Sequence, residues 1–320
     1  MTAPDKLFTS IECQQGLVRA VRYSADGNYC LTSGSDKTIA LWNPYKNLKI
    51  KTYEGQGFES LDVRASQDNS KFACCGMDKN VRCIDVATGK VLRKFRGHAG
   101  RVNCVTFNDD SSVLLSGSID SSVRIWDIKS YNKSEIQILK EARDSVTAIK
   151  VSRYEIFTAS ADGCLRRYDI RNGRVETDSL SVQGISSIDH TNKTDVKGEN
   201  FKCVLVSVLE GKHFLIDTTD GKLLAEYFTH GKEDSKAVPK GSQFQIDNCL
   251  SFDDELAFSG SQEGYVYCWD LLESTLKAKL DHGATDNFKA NKVVASLSAH
   301  PTKNHLLTAS SNSIYLWTTE

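Results

Sequence analysis

The stretch Leu114-Leu115-Ser116-Gly117-Ser118-Ile119-Asp120-Ser121-Ser122-Val123-Arg124-Ile125-Trp126-Asp127 decides how the chain folds. It reads as a strand of small and aliphatic residues, an acidic turn, and a second strand ending in an aromatic residue and an aspartate. That closing pair recurs as Trp42-Asn43, Ile84-Asp85, Tyr168-Asp169, Ile216-Asp217, Trp269-Asp270 and Trp317-Thr318. Counted in order with Trp126-Asp127, the pairs are 42, 42, 42, 48, 53 and 48 residues apart, so seven copies of one unit fill nearly the whole length. Within a copy the apolar residues follow a strand period, as at Val123 and Ile125 or at Val102, Val105 and Phe107. The chain is therefore expected to be all-β.

Composition narrows the functional classes. Of 320 residues, 40% are hydrophobic and 25% charged, which supplies a large core and excludes a disordered chain. With 40 Lys+Arg against 41 Asp+Glu, the surface as a whole is not built to neutralise phosphates. Local basic clusters remain at Lys90, Arg93, Lys94, Arg96 and Arg101, and at Arg166, Arg167, Arg171 and Arg174. They lack aromatic residues at stacking intervals, so base reading is not indicated. The longest apolar run, Cys203 to Leu209, is broken by Ser207 and is too short to span a bilayer. Met1 to Ser10 does not read as a secretory signal. Ten cysteines occur without a C-x-x-C or a zinc-type spacing, and read as small buried hydrophobes in a reducing compartment.

A unit of about 40–45 residues carrying Gly-His and Trp-Asp marks corresponds to one four-stranded propeller blade. On Gly97-His98, Asp120 and Trp126-Asp127, the chain resembles the WD-repeat β-propeller family throughout. The resemblance implies one seven-bladed propeller over residues 1–320, with third strands ending near 42, 84, 126, 168, 216, 269 and 317. Only three residues follow Trp317, so the last blade lacks an outer strand of its own. Residues 1–13, with Leu7, Ile11 and Cys13 as apolar positions, are expected to supply it.

In that family a histidine before the blade, a turn aspartate, a second-strand hydroxyl and the third-strand tryptophan share a buried hydrogen-bond network. Carried onto this chain, the set is His98, Asp120, Trp126 and either Ser116 or Ser118. Elsewhere the aspartate persists as Asp36, Asp78 and Asp162, while the histidine position reads Gln14, Gln56 and Ala142. Those blades are expected to rely more on packing than on the network. His98 beside Asp120 would also suit a general base, but the same pair recurs in relatives without chemistry, so a structural role is expected.

No enzyme signature is present: the sequence has no G-x-S-x-G, H-E-x-x-H, Walker loop or G-x-G-x-x-G. Neither catalytic residues, nor a cofactor, nor a metal site is expected. Binding should use the loops leading into the blades and the turns before their third strands, which share the narrow face. Their candidate contacts are Phe58, Glu59, Met77, Arg101, Ile119, Arg143, Asp144 and Gln262. The longer later units place insertions near Asp189 to Asn200, Thr229 to Gln243 and His282 to Lys292. Lys232, Lys236, Lys240, Lys289 and Lys292 would give the last two a basic lip, unless they are simply solvated loops.

Further segments sharpen the resemblance: Val18 to Arg22, Asp26 to Thr32, Arg93 to Gly100, Leu115 to Ser122 and Glu141 to Asp144. They are similar to a branch of the family made of small non-catalytic scaffolds. That branch serves the mitogen-activated kinase cascade and is also found in spliceosomes. The resemblance is closest from residue 16 to about 175, and implies protein partners in the nucleus and cytoplasm. A direct RNA binder, or a substrate-receptor subunit of an enzyme complex, is the alternative.

Overall fold

The computed structural model describes residues 2–54, 57–130, 134–181, 183–191, 203–209, 211–228, 246–282 and 293–319. Among them there is no helix, and all strands belong to seven four-stranded antiparallel sheets. The innermost strands are β2 (Val18–Tyr23), β6 (Ser60–Ala65), β10 (Val102–Phe107), β14 (Val146–Ser152), β18 (Ile185–His190), β22 (Asn248–Leu250) and β26 (Val294–Ala299). Each touches the innermost strand of the next sheet, and β26 touches β2. The sheets thus form a seven-bladed β-propeller around a central channel. The third strands end at Asn43, Asp85, Asp127, Asp169, Asp217, Asp270 and Thr318.

The last sheet joins the two ends of the chain. Strand β1 (Lys6–Glu12) lies antiparallel on β28 (Ser313–Thr318), with Leu7 opposite Trp317 and Ile11 opposite Ile314; β27 (Leu306–Ser310) and β26 complete it. The edge of β28 is thereby covered.

Packing explains why the repeat is needed. The described residues form seven apolar clusters, one at each junction between neighbouring blades. At the seam between the last and first blades, Leu307, Ala309, Ile314 and Leu316 meet Val18, Val21, Cys30 and Trp42, with Ile11 and Cys13 inserted beside them. A blade buries its large side chains only against a neighbour, and each one fully buried contributes roughly 1.5–3 kcal/mol. Nine of the ten cysteines are buried, Cys164 is half-buried, and none is in a disulfide.

The acidic turns set the register of the third strands. Asp120 accepts hydrogen bonds from the amides of Ala99, at 2.8 Å, and Ser122, at 3.1 Å, tying the loop leading into the blade to the turn. The next residue is left-handed in each such turn: Lys37, Lys79, Ser121 and Gly163 have φ of 72°, 63°, 61° and 77°. Three of these are not glycine, so the aspartate-capped turn over-determines a backbone that glycine would adopt more freely.

Candidate functional site

Two polar constellations stand out, one inside the blades and one along the channel. In the third blade Trp126 Nε1 donates to Ser116 Oγ at 2.9 Å, and Ser116 lies 2.9 Å from His98 Nε2. His98 Nδ1 faces Asp120 Oδ2 at 2.9 Å. Burial holds the His98 pKa below the ordinary value despite Asp120, which favours the neutral ring. A neutral imidazole that donates from Nδ1 to the carboxylate accepts the serine hydroxyl's hydrogen at Nε2, while that hydroxyl accepts from the tryptophan. Ser118 is outside this chain; its hydroxyl donates to the Arg101 carbonyl at 2.7 Å.

The other blades do not rest on packing alone. In the first, the histidine place is taken by Gln15, not Gln14, which is exposed and has a φ of 56°. Trp42 Nε1 donates to Thr32 at 2.9 Å, Thr32 donates to Gln15 Oε1 at 2.5 Å, and Gln15 Nε2 donates to Thr38 at 3.0 Å. Thr38 then meets Asp36 at 2.9 Å. In the seventh, Trp317 Nε1 and His282 Nε2 meet at Thr308 Oγ1, at 3.0 and 2.7 Å, and His282 Nδ1 faces the Gly264 carbonyl at 3.2 Å. His282 had been hidden at the edge of an insertion. Ala142 offers no donor, and in its blade Arg166 fills the gap from the third strand, reaching Ser160 and Asp162, each at 2.6 Å. Arg82 pairs with Asp78 in the same way in the second blade. Gln56 lies outside the described residues.

The channel is a cavity of about 670 Å³, lined by the innermost strands and opening near Met77 and Arg101 on one side and near His300 and Pro301 on the other. Six buried or half-buried charges project into it. Arg22 meets Asp247 at 2.7 Å and Asp62 at 3.2 Å, Lys150 meets Asp189 at 2.7 Å, and Arg64 approaches Asp62 at 3.8 Å. Burial alone would push the Asp247 and Asp189 carboxyls up, but Arg22 and Lys150 outweigh it and hold them below the usual range. The carboxylates and hydroxyls also stitch blade to blade. Asp62 accepts from the Val105 amide, Asp189 from Leu250, Ser296 from Val21 and Ser298 from Tyr23, at 2.9 to 3.2 Å. Sequence reading missed this set. Its signal was polar residues on the inward-facing positions of strands that have no polar side to face.

The candidate contacts separate into two groups. Glu59, Met77 and Arg101 line the narrow mouth together with Leu17 and Arg19, which had not been singled out. Glu59 is engaged in an ion pair with Arg19. Phe58 is its chain neighbour and is 57% exposed; Met77 and Ile119 are 43% and 45% exposed. The Ile119 amide donates to the Arg101 carbonyl at 3.1 Å, which puts that side chain beside the mouth. Arg143 and Asp144 are exposed at the fourth blade, and Gln262 is half-buried in the sixth; none of the three lines the channel. Lys232, Lys236, Lys240, Lys289 and Lys292 lie outside the described residues.

The basic cluster of the fourth blade is largely neutralised within the fold. Arg166 is buried against Asp162, Arg167 pairs with Glu176, and Arg171 meets Asp169 at 2.9 Å. Of that cluster only Arg174 forms no ion pair among the described residues, so the fourth blade presents little net positive charge.

Seven sheets closed in a ring, with hydroxyl, tryptophan or arginine relays behind the acidic turns of the first four blades, define a propeller built from WD repeats. The description "WD domain, G-beta repeat" matches residues 5–43, 89–127 and 284–318. The chain is 45% identical over 317 residues to WD repeat domain-containing protein 83 of Rattus norvegicus, covering 99% of this chain and 93% of the relative. The Homo sapiens protein of the same name is 44% identical over the same shares, and a Dictyostelium discoideum homolog is 30% identical over 94% of each chain. This chain belongs to the WD-repeat β-propeller family. Its architecture is that of a protein-interaction scaffold, the general role of such propellers.

Proposed function

We propose that the protein is a non-catalytic scaffold that assembles partner proteins in pre-mRNA splicing complexes, in a mitogen-activated kinase module, or in both, and works in nucleus and cytoplasm. The near full-length identity to WD repeat domain-containing protein 83 supports the assignment to that branch. The observation that carries the docking face is the pair Met77 and Ile119: two apolar side chains, 43% and 45% exposed, standing in tight turns of neighbouring blades beside Arg101. Apolar and arginine side chains clustered at a rigid rim are the composition of interface hot spots. The insertions with Lys232, Lys236 and Lys289 would extend the contact surface to the sixth and seventh blades.

Affinity purification from nuclear and cytosolic extracts tests both halves of the reading. Wild-type protein should retain splicing or kinase-cascade components. A Met77→Asp, Ile119→Asp double variant, which leaves the cores untouched, should lose most of them. Retention of neither class by wild type overturns the assignment, and full retention by the variant overturns the docking face.

A further inference from the structure

The channel pairs all but one of its internal cations well. Arg22 holds two carboxylates and Lys150 holds a third. Arg64 has no carboxylate nearer than Asp62, at 3.8 Å, which Arg22 and the Val105 amide already engage, and Asp247 and Asp189 act on it from farther off. Its Nε is buried without a hydrogen-bond partner, and the guanidinium makes no hydrogen bond to any described residue. Asp62 stands two residues nearer the narrow mouth on the same strand, and both side chains line the channel. At that mouth Arg101 is exposed and donates from Nε to Asn103 at 3.2 Å, its one side-chain hydrogen bond among the described residues. Around the whole cavity five Arg and Lys side chains face four carboxylates, leaving one positive charge in excess. Burial, and then the charge of Arg22, lower the proton affinity of Arg64, as expected of an under-compensated cation.

We propose that the narrow mouth of the channel accepts a carboxylate side chain from an acidic peptide segment of a partner protein, with Arg101 at the lip, Arg64 beneath it, and apolar neighbours on Leu17 and Met77. This rests on the reading of the narrow face as the docking surface. Charge complementarity selects the occupant. One carboxylate balances the excess charge, and its two oxygens suit the guanidinium fork that Arg64 leaves unused. A phosphorylated side chain, with about two negative charges, would overshoot the balance in a confined cavity. A basic segment would add to the excess. Desolvated at a rigid rim, the pair would act as an anchor for the looser apolar contacts around it.

The test uses the full chain and a dye-labelled, capped dodecapeptide of alternating leucine and glutamate, set against its leucine and glutamine counterpart, by fluorescence polarisation. The glutamate peptide should bind at least tenfold tighter, and the preference should shrink as salt rises. Arg64→Met, which keeps the stem and removes the fork, should erase most of that tenfold preference. Arg101→Ala lies at an exposed site and should do the same in part, which keeps the test valid if the buried substitution unfolds the protein. Equal binding of the two peptides, or a preference that survives both substitutions, overturns the proposal. So does inorganic phosphate binding with the same dependence on Arg64 while the peptide does not bind. If Arg64→Met retains every extract partner that the Met77→Asp, Ile119→Asp variant loses, the docking face stands and the carboxylate inference falls.

Discussion

Gln15 accepts the hydroxyl hydrogen of Thr32 at 2.5 Å, and by doing so an amide stands where the third blade uses an imidazole. The direction of donation is the same in both. Tryptophan indole gives to a hydroxyl, the hydroxyl gives to Gln15 Oε1 or His98 Nε2, and the far nitrogen gives to the turn. A glutamine carries one acceptor and one donor at its tip, as a neutral histidine does, so it completes the relay without a titratable group. In the first blade Thr38 spans the remaining gap to Asp36.

Removing the middle of either relay should therefore cost similar amounts. His98→Ala leaves Ser116 without its imidazole acceptor and takes one of several donors from Asp120, and is expected to destabilise the protein by about 1–3 kcal/mol. Gln15→Leu should fall in the same range, whereas Gln15→His should cost less than half as much. Ser116→Ala should be worse than Ser118→Ala, because only Ser116 stands between two buried rings. Chemical denaturation of the five variants checks the order; a His98→Ala midpoint equal to wild type would refute the relay's contribution.

The propeller was legible because strand period, turn acid and closing aromatic repeat at nearly constant intervals, and packing between blades demands all three. The relay was legible only where histidine and tryptophan both survive. Gln14 and Gln15 are equivalent by residue type, and only the left-handed backbone at Gln14 and Gly16 decides that Gln15 faces the relay. His282 was masked by the insertion after it. Arg82 and Arg166 looked like surface charge, since the strand pattern does not reveal that a residue four positions after the turn acid reaches back to it. The channel charges come from five separate blades, and no local motif brings Arg22, Asp62 and Asp247 together.

Deleting residues 1–13 should loosen the ring at its seam. The deletion removes β1 from the edge of β28 and takes Ile11 and Cys13, which are buried, out of the junction between the last and first blades. Two such side chains and half-buried Leu7 amount to about 3 kcal/mol or more, before the lost ladder of backbone hydrogen bonds is considered. A melting temperature equal to that of the full chain would show that the seam holds without this strand. Proteolysis should meanwhile begin in the last blade.

Breaking the Arg22 and Asp247 pair from one side should be costlier than replacing both partners. Asp247→Ala leaves the Arg22 guanidinium with Asp62 at 3.2 Å as its remaining carboxylate, and strips Ser296 of an acceptor. About 3–5 kcal/mol is the expected loss for an uncompensated buried charge. The double variant Arg22→Met, Asp247→Leu should recover at least 1 kcal/mol of that. Additive losses in the double-mutant cycle would mean that the two charges do not interact.

Acid should destabilise the protein well before its carboxylates titrate, because burial lowers the pKa of His98, His190, His213 and His300. His213 has 4% of its surface exposed, with Ser207 as its hydrogen-bond partner at 2.7 Å and its Nε2 unpartnered, and burial pushes its pKa down to about 3. His300 is pushed down to about 4 by burial and then by His305, and His98 and His190 are lowered as well. The unfolded chain takes up protons near the ordinary histidine value of 6.5 while the folded chain does not. Stability is therefore complete above that pH and falls as pH drops below it, by about 1.4 kcal/mol per unit for each such histidine. From pH 6.5 to 5, His213 alone accounts for a loss of about 2 kcal/mol, and the others steepen the slope. His213→Gln should be less stable at neutral pH yet have a shallower profile between pH 6.5 and 5, by one proton. Urea midpoints measured across that interval decide it: parallel profiles for variant and wild type would mean that His213 is charged in the folded protein, or does not titrate on unfolding.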